Sequence, residues 1–308
     1  MLYDQGSSAF REDGLVNAEP FFGVLDGVSA PYNKWNPAYK YGTLTGGELT
    51  ARLVEETFVV SPNHRNLILP NGDGEANVSV MEALMVASAH LGKIHRQHGF
   101  DLGKANTLPG ATFAIAKVDN DVIEVVQGGD CFAIWVDKSG RFGNTKNQVR
   151  LHDHEMNDTI VRLQLEIAAE RGVDFISAGE VVQGEITDEM WRRFFDILNE
   201  ARRQDVNNPE SHRGYSLING QLGVKNSWSV HMLPRNEIAL VLLISDGMAP
   251  WGMMKDSTDE LVSQAVLEAY KKGGLVEILR AARHVEDETK IKYTKHQEAT
   301  ALAIEFEN

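Results

Sequence analysis

Residues 21–29 read FFGVLDGVS, an apolar run that ends on Asp26 and Gly27. Such a run is typical of a buried strand. The Asp-Gly pair alone indicates no more than a turn, because both residue types are common at tight turns. The chain repeats the pattern, however, at residues 238–247, which read IALVLLISDG, and at residues 122–130, which read VIEVVQGGD. We therefore expect three buried strands, each followed closely by an aspartate.

These strand-terminal aspartates are Asp26, Asp130 and Asp246, and an acidic pair, Glu12-Asp13, lies near the start of the chain. If the strands are neighbours, their carboxylates converge at one edge of the sheet. Carboxylates a few ångströms apart raise each other's pKa unless a cation neutralises them. Divalent cations that prefer oxygen ligands meet this need, so the pattern predicts a Mg²⁺ or Mn²⁺ site. A plain turn is the better explanation of any single Asp-Gly pair and the weaker one for all of them together.

Composition narrows the class of protein. The chain has 308 residues, with 30 basic and 44 acidic side chains and a net charge of −14, and such a surface repels nucleic acid and anionic lipid. The single cysteine, Cys131, excludes an intramolecular disulfide and indicates a reducing compartment. No stretch approaches the roughly 18 apolar residues of a membrane-spanning helix. We expect a cytoplasmic protein without a nucleic-acid or membrane partner, and the sequence leaves its oligomeric state open.

The order of the predicted elements favours an α+β fold. Strand-like segments occur at residues 21–25, 112–118, 121–127, 131–137, 228–233, 237–245 and 300–306. Helical periodicity occurs at residues 46–57, 79–97, 158–171, 187–203, 257–271 and 274–283. Helices interrupt a largely antiparallel set of strands and do not alternate strictly with them, which argues for sandwiched α and β layers. The turn at Asp119-Asn120 predicts a hairpin, and the strand after residue 130 predicts its extension into an antiparallel meander.

Six short motifs follow one another in a fixed order. They are Glu12-Asp13, GVLDGVS at 23–29, GATFAIA at 110–116, GGD at 128–130, LISDG at 243–247 and QEATALAIEF at 297–306. In this order they resemble the metal-dependent type 2C serine/threonine protein phosphatases of the bacterial type. Any one motif is weak, but six in sequence are specific. The resemblance implies one domain over residues 1–308, a four-layer αββα sandwich with two central, mainly antiparallel sheets, and a flap-like insertion at about residues 151–225.

The resemblance also implies a site with two or three divalent cations, Mg²⁺ or Mn²⁺. The metal ligands that it implies are Glu12, Asp13, Asp26, Gly27 through its carbonyl, Asp130 and Asp246. Asp26 would bridge two ions and Asp246 would ligate the second, so these two are the residues implied in catalysis. Two such ions activate a water for attack on phosphorus. The implied activity is hydrolysis of phosphoserine and phosphothreonine in a phosphoprotein substrate.

Two positions depart from the family pattern. The place of the substrate-binding arginine falls near Ser8, and the arginine closest to it is Arg11. The place of the last metal aspartate falls on Gln297, with Glu298 beside it as a candidate replacement. A neutral glutamine reduces the expected metal affinity. These departures keep a second hypothesis open, a catalytically weak or inactive relative that binds a phosphoprotein or another partner as a regulator.

Two further segments carry candidate residues. Residues 31–35 read PYNKW and follow the first Asp-Gly pair, so Lys34 is a candidate for contact with substrate. Residues 152–155 read HDHE, which resembles a metal-ligand cluster. For this second segment the sequence favours a solvated loop.

Overall fold

Two five-stranded sheets form the centre of the computed structural model, which describes residues 1–7, 10–29, 39–60, 78–172, 185–221, 223–250, 257–289 and 296–307. The strands are β1 (Leu2–Asp4), β2 (Gly14–Ala18), β3 (Phe21–Val28), β4 (Lys40–Tyr41), β5 (Leu44–Thr45), β6 (Gly110–Val118), β7 (Val122–Gly128), β8 (Phe132–Asp137), β9 (Phe142–Asn144), β10 (Ser229–Pro234), β11 (Ile238–Ile244) and β12 (Ala299–Glu305). The helices are α1 (Gly46–Val60), α2 (Val80–Gln97), α3 (Arg150–Glu170), α4 (Glu185–Asp205) and α5 (Asp259–Thr289). Sheet I has the order β1-β12-β11-β8-β9, and sheet II has the order β10-β7-β6-β3-β2.

Three apolar cores separate four layers. One core joins α1 and α2 to sheet II, a second lies between the two sheets, and a third joins sheet I to α5. Strand β6 shows the alternation that builds them, because Phe113 and Ile115 belong to the core under the helices, whereas Ala114 and Ala116 belong to the core between the sheets. The pairings within both sheets are antiparallel. The predicted αββα sandwich is confirmed.

The chain crosses from one sheet to the other between β7 and β8. Strands β6 and β7 form the predicted hairpin, but β8 pairs with β11 and β9 in sheet I, so the predicted meander is wrong. Gly129 makes the corner with a φ of +79°, and a Cβ there would lie 2.2 Å from Cγ2 of Thr112. Glycine alone fits this position without strain. Asp130 follows this corner and therefore lies where the chain passes from sheet II to sheet I.

Helix α3 begins at Arg150, earlier than the predicted residue 158. Its start is fixed by Asn147, whose Oδ1 accepts hydrogen bonds from the backbone N–H groups of Val149 (2.9 Å) and Arg150 (3.0 Å). The HDHE segment at residues 152–155 therefore lies in the first turns of a helix, and the prediction of a solvated loop is wrong. Element α5 consists of two helical segments separated by Gly273 and Gly274, whose φ and ψ are not helical, and this break lies where the sequence predicts one helix to end and the next to begin.

Helices α3 and α4 pack against each other as a hairpin with its own apolar core. Met156, Ile160 and Leu163 of α3 contact this core, together with Met190 and Phe194 of α4. The pair spans most of the segment expected to form the flap-like insertion. Within the described parts of the chain, none of the helices combines the length and the apolar character that crossing a membrane requires.

Candidate metal centre

Strand register brings the three predicted aspartates to one edge of the sandwich. Asp26 lies opposite Thr112 in sheet II, and the Thr112 hydroxyl donates a 2.7 Å hydrogen bond to Asp130. In sheet I, β11 and β8 stay paired up to Ile244 and Phe132, each two residues from an aspartate of the set. As a result, one oxygen from each of the three carboxylates lies within 4.8 Å of those of the other two. Three carboxylates at this spacing can share a metal ion.

A cavity of about 170 Å³, the metal-site cavity, opens beside this cluster. It is lined by Glu12, Asp13, Asp26, Gly27, Asp246, His296, Gln297 and Glu298. The lining contains every residue predicted as a metal ligand except Asp130. A carboxylate oxygen of Asp130 lies within 4.8 Å of one from Asp246, which does line the cavity. Residues from the start, the middle and the end of the chain therefore meet at one place.

Buried hydroxyl groups hold Asp13 in position. Its Oδ2 accepts hydrogen bonds from Oγ1 of Thr300 (2.7 Å) and Oγ of Ser245 (3.0 Å), and the Thr300 N–H donates to Ser245 Oγ at 2.9 Å. Burial raises the pKa of Asp13 to about 7, the charge of Glu298 adds to this rise, and the Thr300 hydrogen bond opposes it. Asp13 is thus a carboxyl group whose charge is costly unless a cation lies nearby.

The pKa of each of the three clustered aspartates is also raised. Burial, followed by the charges of Asp246 and Asp13, raises the pKa of Asp26 well above its ordinary value. Burial and the charge of Asp130 do the same to the pKa of Asp246. The pKa of Asp130 is also raised by burial, although the Thr112 hydrogen bond lowers it in part. A bound divalent cation relieves this mutual repulsion, which is the behaviour expected of a metal site.

Glu12 and Gly27 are fixed relative to each other. Oε1 of Glu12 accepts hydrogen bonds from Ser29 Oγ (2.6 Å) and Thr45 Oγ1 (2.5 Å), so its side chain has one orientation. The Gly27 N–H donates to the Glu12 carbonyl oxygen at 3.1 Å, and a Cβ on Gly27 would lie only 2.5 Å from that oxygen. Glycine permits this close approach of two backbone segments at the rim of the cavity.

Gln297 and Glu298 have different roles in the structure. Glu298 accepts hydrogen bonds from the Tyr3 hydroxyl (2.8 Å) and the Glu12 N–H (2.8 Å). By contrast, Oε1 of Gln297 is buried and has no hydrogen-bond partner among the described residues. An unpartnered amide oxygen beside several carboxylates gives a set of hard oxygen donors, and such a set fits Mg²⁺ or Mn²⁺.

The residues predicted to bind substrate are not at this cavity or lie outside the described residues. Ser8 and Lys34 lie outside the described residues. Arg11 is exposed, and its guanidinium carbon lies 4.7 Å from the centre of the Tyr3 ring. Arg11 does not line the metal-site cavity.

A second cavity, of about 260 Å³, adjoins the first, and we call it the flap cavity. It is lined by Asp130, Phe132, Asn147, Arg150, His152, Asp153, Met156, Asn157, Ile160, Phe194, Leu198, Asp246, Ala249, Val262 and Gln297. Asp246 and Gln297 line both cavities. Both cavities therefore adjoin the edge of the sandwich that carries the carboxylate cluster, which we call the metal edge. The flap cavity lies between that edge and the α3–α4 hairpin.

Sequence reasoning missed Asp153 as a site residue. Burial, reinforced by the charge of Asp130, raises the pKa of Asp153 to about 8. Its neighbour His152 is buried and has Nδ1 at 3.0 Å from Oδ2 of Asp205, so the two residues of one motif serve different purposes. A signal was present, because Asp153, Met156 and Ile160 follow the i, i+3, i+7 spacing of one helix face.

Comparison with solved structures identifies the fold as that of the type 2C serine/threonine phosphatases. The catalytic domain of serine threonine protein phosphatase PstP, in complex with 2 manganese ions, matches with a TM-score of 0.51 at 12% identity, over 98% of this chain and 94% of that one. Serine/threonine phosphatase Stp1 from Staphylococcus aureus matches with a TM-score of 0.52 at 14% identity, over 100% and 94% of the two chains. Serine-threonine phosphatase 2C from Toxoplasma gondii matches with a TM-score of 0.52 at 15% identity, over 99% and 93%. No protein-family model and no curated protein matches the chain. The fold implied by the six motifs is thereby confirmed.

Proposed function

We propose that the protein is a Mg²⁺- or Mn²⁺-dependent phosphoprotein phosphatase that hydrolyses phosphoserine and phosphothreonine in the cytoplasm. The observation that carries this proposal is the convergence of Asp26, Asp130 and Asp246, with one oxygen of each within 4.8 Å of the others, at the edge of an αββα sandwich. The fold shared with PstP, whose structure contains 2 manganese ions, supports the same conclusion.

We propose a separate role for each residue of the site. Bound divalent cations would lower the pKa of an attacking water and offset the charge of the phosphoryl group. Asp26 would be the central ligand, since the charges of Asp246, Asp13, Asp130 and Glu12 all act on its carboxylate. Glu12 is held by two hydroxyl groups and keeps a fixed orientation at the rim. Asp13 supports the cluster from the buried side through Ser245 and Thr300.

We propose that other residues bind the substrate. Arg11, Ser8 and Lys34 remain our proposed contacts to the phosphoprotein. The α3–α4 hairpin is the proposed flap, within an insertion at about residues 151–225 of a single domain. It selects the substrate and takes no part in the chemistry.

One observation favours a second candidate function, that of a catalytically weak or inactive regulator. Gln297 contributes a neutral oxygen where the family pattern has a carboxylate, and the carboxylate of Glu298 is already hydrogen-bonded to Tyr3 and Glu12. One unit of negative charge fewer weakens the hold on two dications. Such a protein would bind its phosphoprotein partner and release little phosphate.

Hydrolysis of an aryl phosphate with and without Mn²⁺ tests the proposal. We expect turnover that requires added Mn²⁺ or Mg²⁺ and that Asp26→Asn abolishes, because an amide cannot balance two dications. Asp121→Asn, at the exposed far end of β7, is the matched control and keeps wild-type turnover. Turnover that survives thorough chelation or Asp26→Asn would overturn the two-metal mechanism. A folded protein that binds Mn²⁺ and phosphopeptide but shows no turnover would establish the regulator.

A further inference from the structure

Asp153 lines the flap cavity and, within the described part of the chain, has no side-chain partner. Among the described residues its carboxylate makes no hydrogen bond and no ion pair. The basic side chains of α3 that line the cavity beside Asp153 each have a carboxylate partner, although Nε of Arg150 is buried without a hydrogen bond among the described residues. Arg150 pairs with Asp259, and His152 pairs with Asp205. Among the described residues, Asp153 is therefore the acid of this wall that can pair with a group supplied by a ligand.

One part of the wall around Asp153 is apolar, and the rest is formed by polar and charged side chains. Met156 and Ile160 follow it along the same face of α3, and Phe194 and Leu198 face the cavity from α4, one turn apart. A lysine or arginine side chain has the matching character, because its aliphatic stem packs on apolar surface while its charged head seeks a carboxylate. The cavity volume of about 260 Å³ exceeds the roughly 30 Å³ share of one water many times over, so it has room for one long side chain.

The position of the cavity indicates where such a side chain comes from. Asp246 and Gln297 line both this cavity and the metal-site cavity. A peptide whose phosphorylated residue lies at the metal edge would place a nearby residue at the mouth of the flap cavity, because adjacent Cα atoms are about 3.8 Å apart.

We infer that the flap cavity binds a lysine or arginine side chain that flanks the phosphorylated residue of the substrate, and that Asp153 pairs with its charge. This inference rests on the proposed function. It assigns to the α3–α4 hairpin a defined preference, for phosphoproteins with a basic residue beside the phosphorylation site. Asp153 is a substrate-binding residue in this scheme, distinct from the metal ligands.

A metal ion is the other cation that Asp153 could bind, and the geometry favours the side chain. Within the described residues, the acids whose ligand atoms approach closely enough to hold one ion together are Asp26, Asp130 and Asp246, and Asp153 does not belong to this set. Met156 and Phe194 also offer contact to a hydrocarbon stem, which a hydrated ion does not have.

The test compares phosphoserine peptides that carry lysine or the uncharged norleucine at each position flanking the phosphoserine. With Mn²⁺ present, we expect kcat/KM to be about tenfold higher for lysine at one position, which corresponds to about 1.4 kcal/mol, and to arise from KM. Asp153→Asn should abolish this ratio. Asp158→Asn, an exposed position on the same helix, should keep it. Asp153→Lys should reverse the preference in favour of a glutamate peptide.

The outcomes separate this inference from the proposed function. If the protein hydrolyses neither aryl phosphate nor the peptides, the proposed function fails. Fluorescence anisotropy of labelled lysine and norleucine phosphopeptides with Mn²⁺ then tests the inference by itself, and equal affinity for the two peptides would overturn it. If turnover is normal but lysine and norleucine peptides have equal kcat/KM at every position, the inference is overturned. A loss of Mn²⁺ affinity in Asp153→Asn, measured by calorimetry, would also overturn it and make Asp153 a metal ligand. Circular dichroism of each variant establishes that it is folded.

Discussion

The hydroxyl of Thr300 donates a 2.7 Å hydrogen bond to the carboxylate of Asp13, and both residues are buried. This contact joins the last strand, β12, to the segment that precedes β2. Ser245, at the end of β11, donates to the same carboxylate oxygen at 3.0 Å. Three segments that are distant in sequence are thus joined next to the carboxylate cluster, so the stability of the fold and the geometry of the candidate site depend on the same group.

Thr300→Val should destabilise the protein, because it removes a hydroxyl donor from a buried carboxyl group without changing the size of the side chain much. We expect a loss of about 1–3 kcal/mol in the free energy of unfolding, measured by urea denaturation with a chelator present. Thr300→Ser keeps the hydroxyl and serves as the control. Equal losses in the two variants would assign the effect to packing and not to the hydrogen bond.

The metal-free protein should become less stable as the pH rises from about 4 to about 7. Burial raises the pKa of Asp13 from 3.8 to about 7, so the folded state binds this proton more tightly than the unfolded state. The contribution of Asp13 is therefore most favourable below its unfolded pKa, declines as the pH rises through the folded pKa, and is constant above it. Urea denaturation at several pH values, in wild type and Asp13→Asn, isolates this contribution by difference.

Mn²⁺ provides the control for this pH dependence. A cation that binds the ionised cluster in the folded state stabilises it more as the pH rises, which offsets the decline. We expect the decline of wild type between pH 4 and 7 to be steeper than that of Asp13→Asn in chelator, and to be reduced or reversed in Mn²⁺. Parallel curves for the two proteins in chelator would show that the pKa of Asp13 is not raised in the folded state.

The sequence predicts the edge of the sandwich well because its signals there are local. An apolar run that stops on an acid and a glycine marks the end of β11 at Asp246, and several such runs together indicate a common site. The predicted strand end at Asp26 is wrong, because β3 continues through Asp26 and Gly27 to Val28 and stays paired with β6 there. The crossing at Gly129 could not be predicted in this way. Whether β8 continues sheet II or joins sheet I depends on its pairing with β11, more than a hundred residues later, and the strand is equally apolar in both cases.

Asp153 was missed for a different physical reason. Asp153, Met156 and Ile160 share the spacing of one helix face, but Asp153 is polar, so the apolar periodicity of α3 becomes clear only from Met156 onward. The helix starts at Arg150 because Asn147 accepts hydrogen bonds from two backbone N–H groups there. This cap depends on a single side chain, which hydrophobic periodicity does not register.

Asp205→Asn should weaken the attachment of the α3–α4 hairpin. Asp205 is fully buried, accepts a 2.6 Å hydrogen bond from Ser211 Oγ and lies within ion-pair distance of His152 Nδ1 (3.0 Å) and Arg213 Nε (3.2 Å). Loss of its charge leaves the Arg213 guanidinium partly uncompensated, and we expect a loss of about 3 kcal/mol in the free energy of unfolding.

Glu200→Gln, on the exposed side of α4, is the control for Asp205→Asn. Glu200 pairs with Arg203 at the surface, and such pairs contribute about 1 kcal/mol or less. Thermal and urea denaturation of the two variants should therefore differ clearly. Similar, small losses in both would mean that the buried ion pairs of Asp205 contribute little to the hold on the hairpin.

Gln297→Asp should tighten Mn²⁺ binding. Oε1 of Gln297 is buried without a partner among the described residues, in a cavity shared with Asp26 and Asp246. A carboxylate there adds a unit of negative charge in a partly desolvated site. We expect the Kd for Mn²⁺ to fall about tenfold, equivalent to about 1.4 kcal/mol, in calorimetric titration, and turnover at limiting metal to rise.

Glu298→Gln is the matched comparison for Gln297→Asp, because the Glu298 carboxylate already accepts hydrogen bonds from Tyr3 and Glu12. It should lower the free energy of unfolding and change Mn²⁺ affinity less. If Glu298→Gln instead causes the larger loss of Mn²⁺ affinity and Gln297→Asp changes nothing, Glu298 is the metal ligand, and if neither variant alters affinity, the terminal motif lies outside the metal centre.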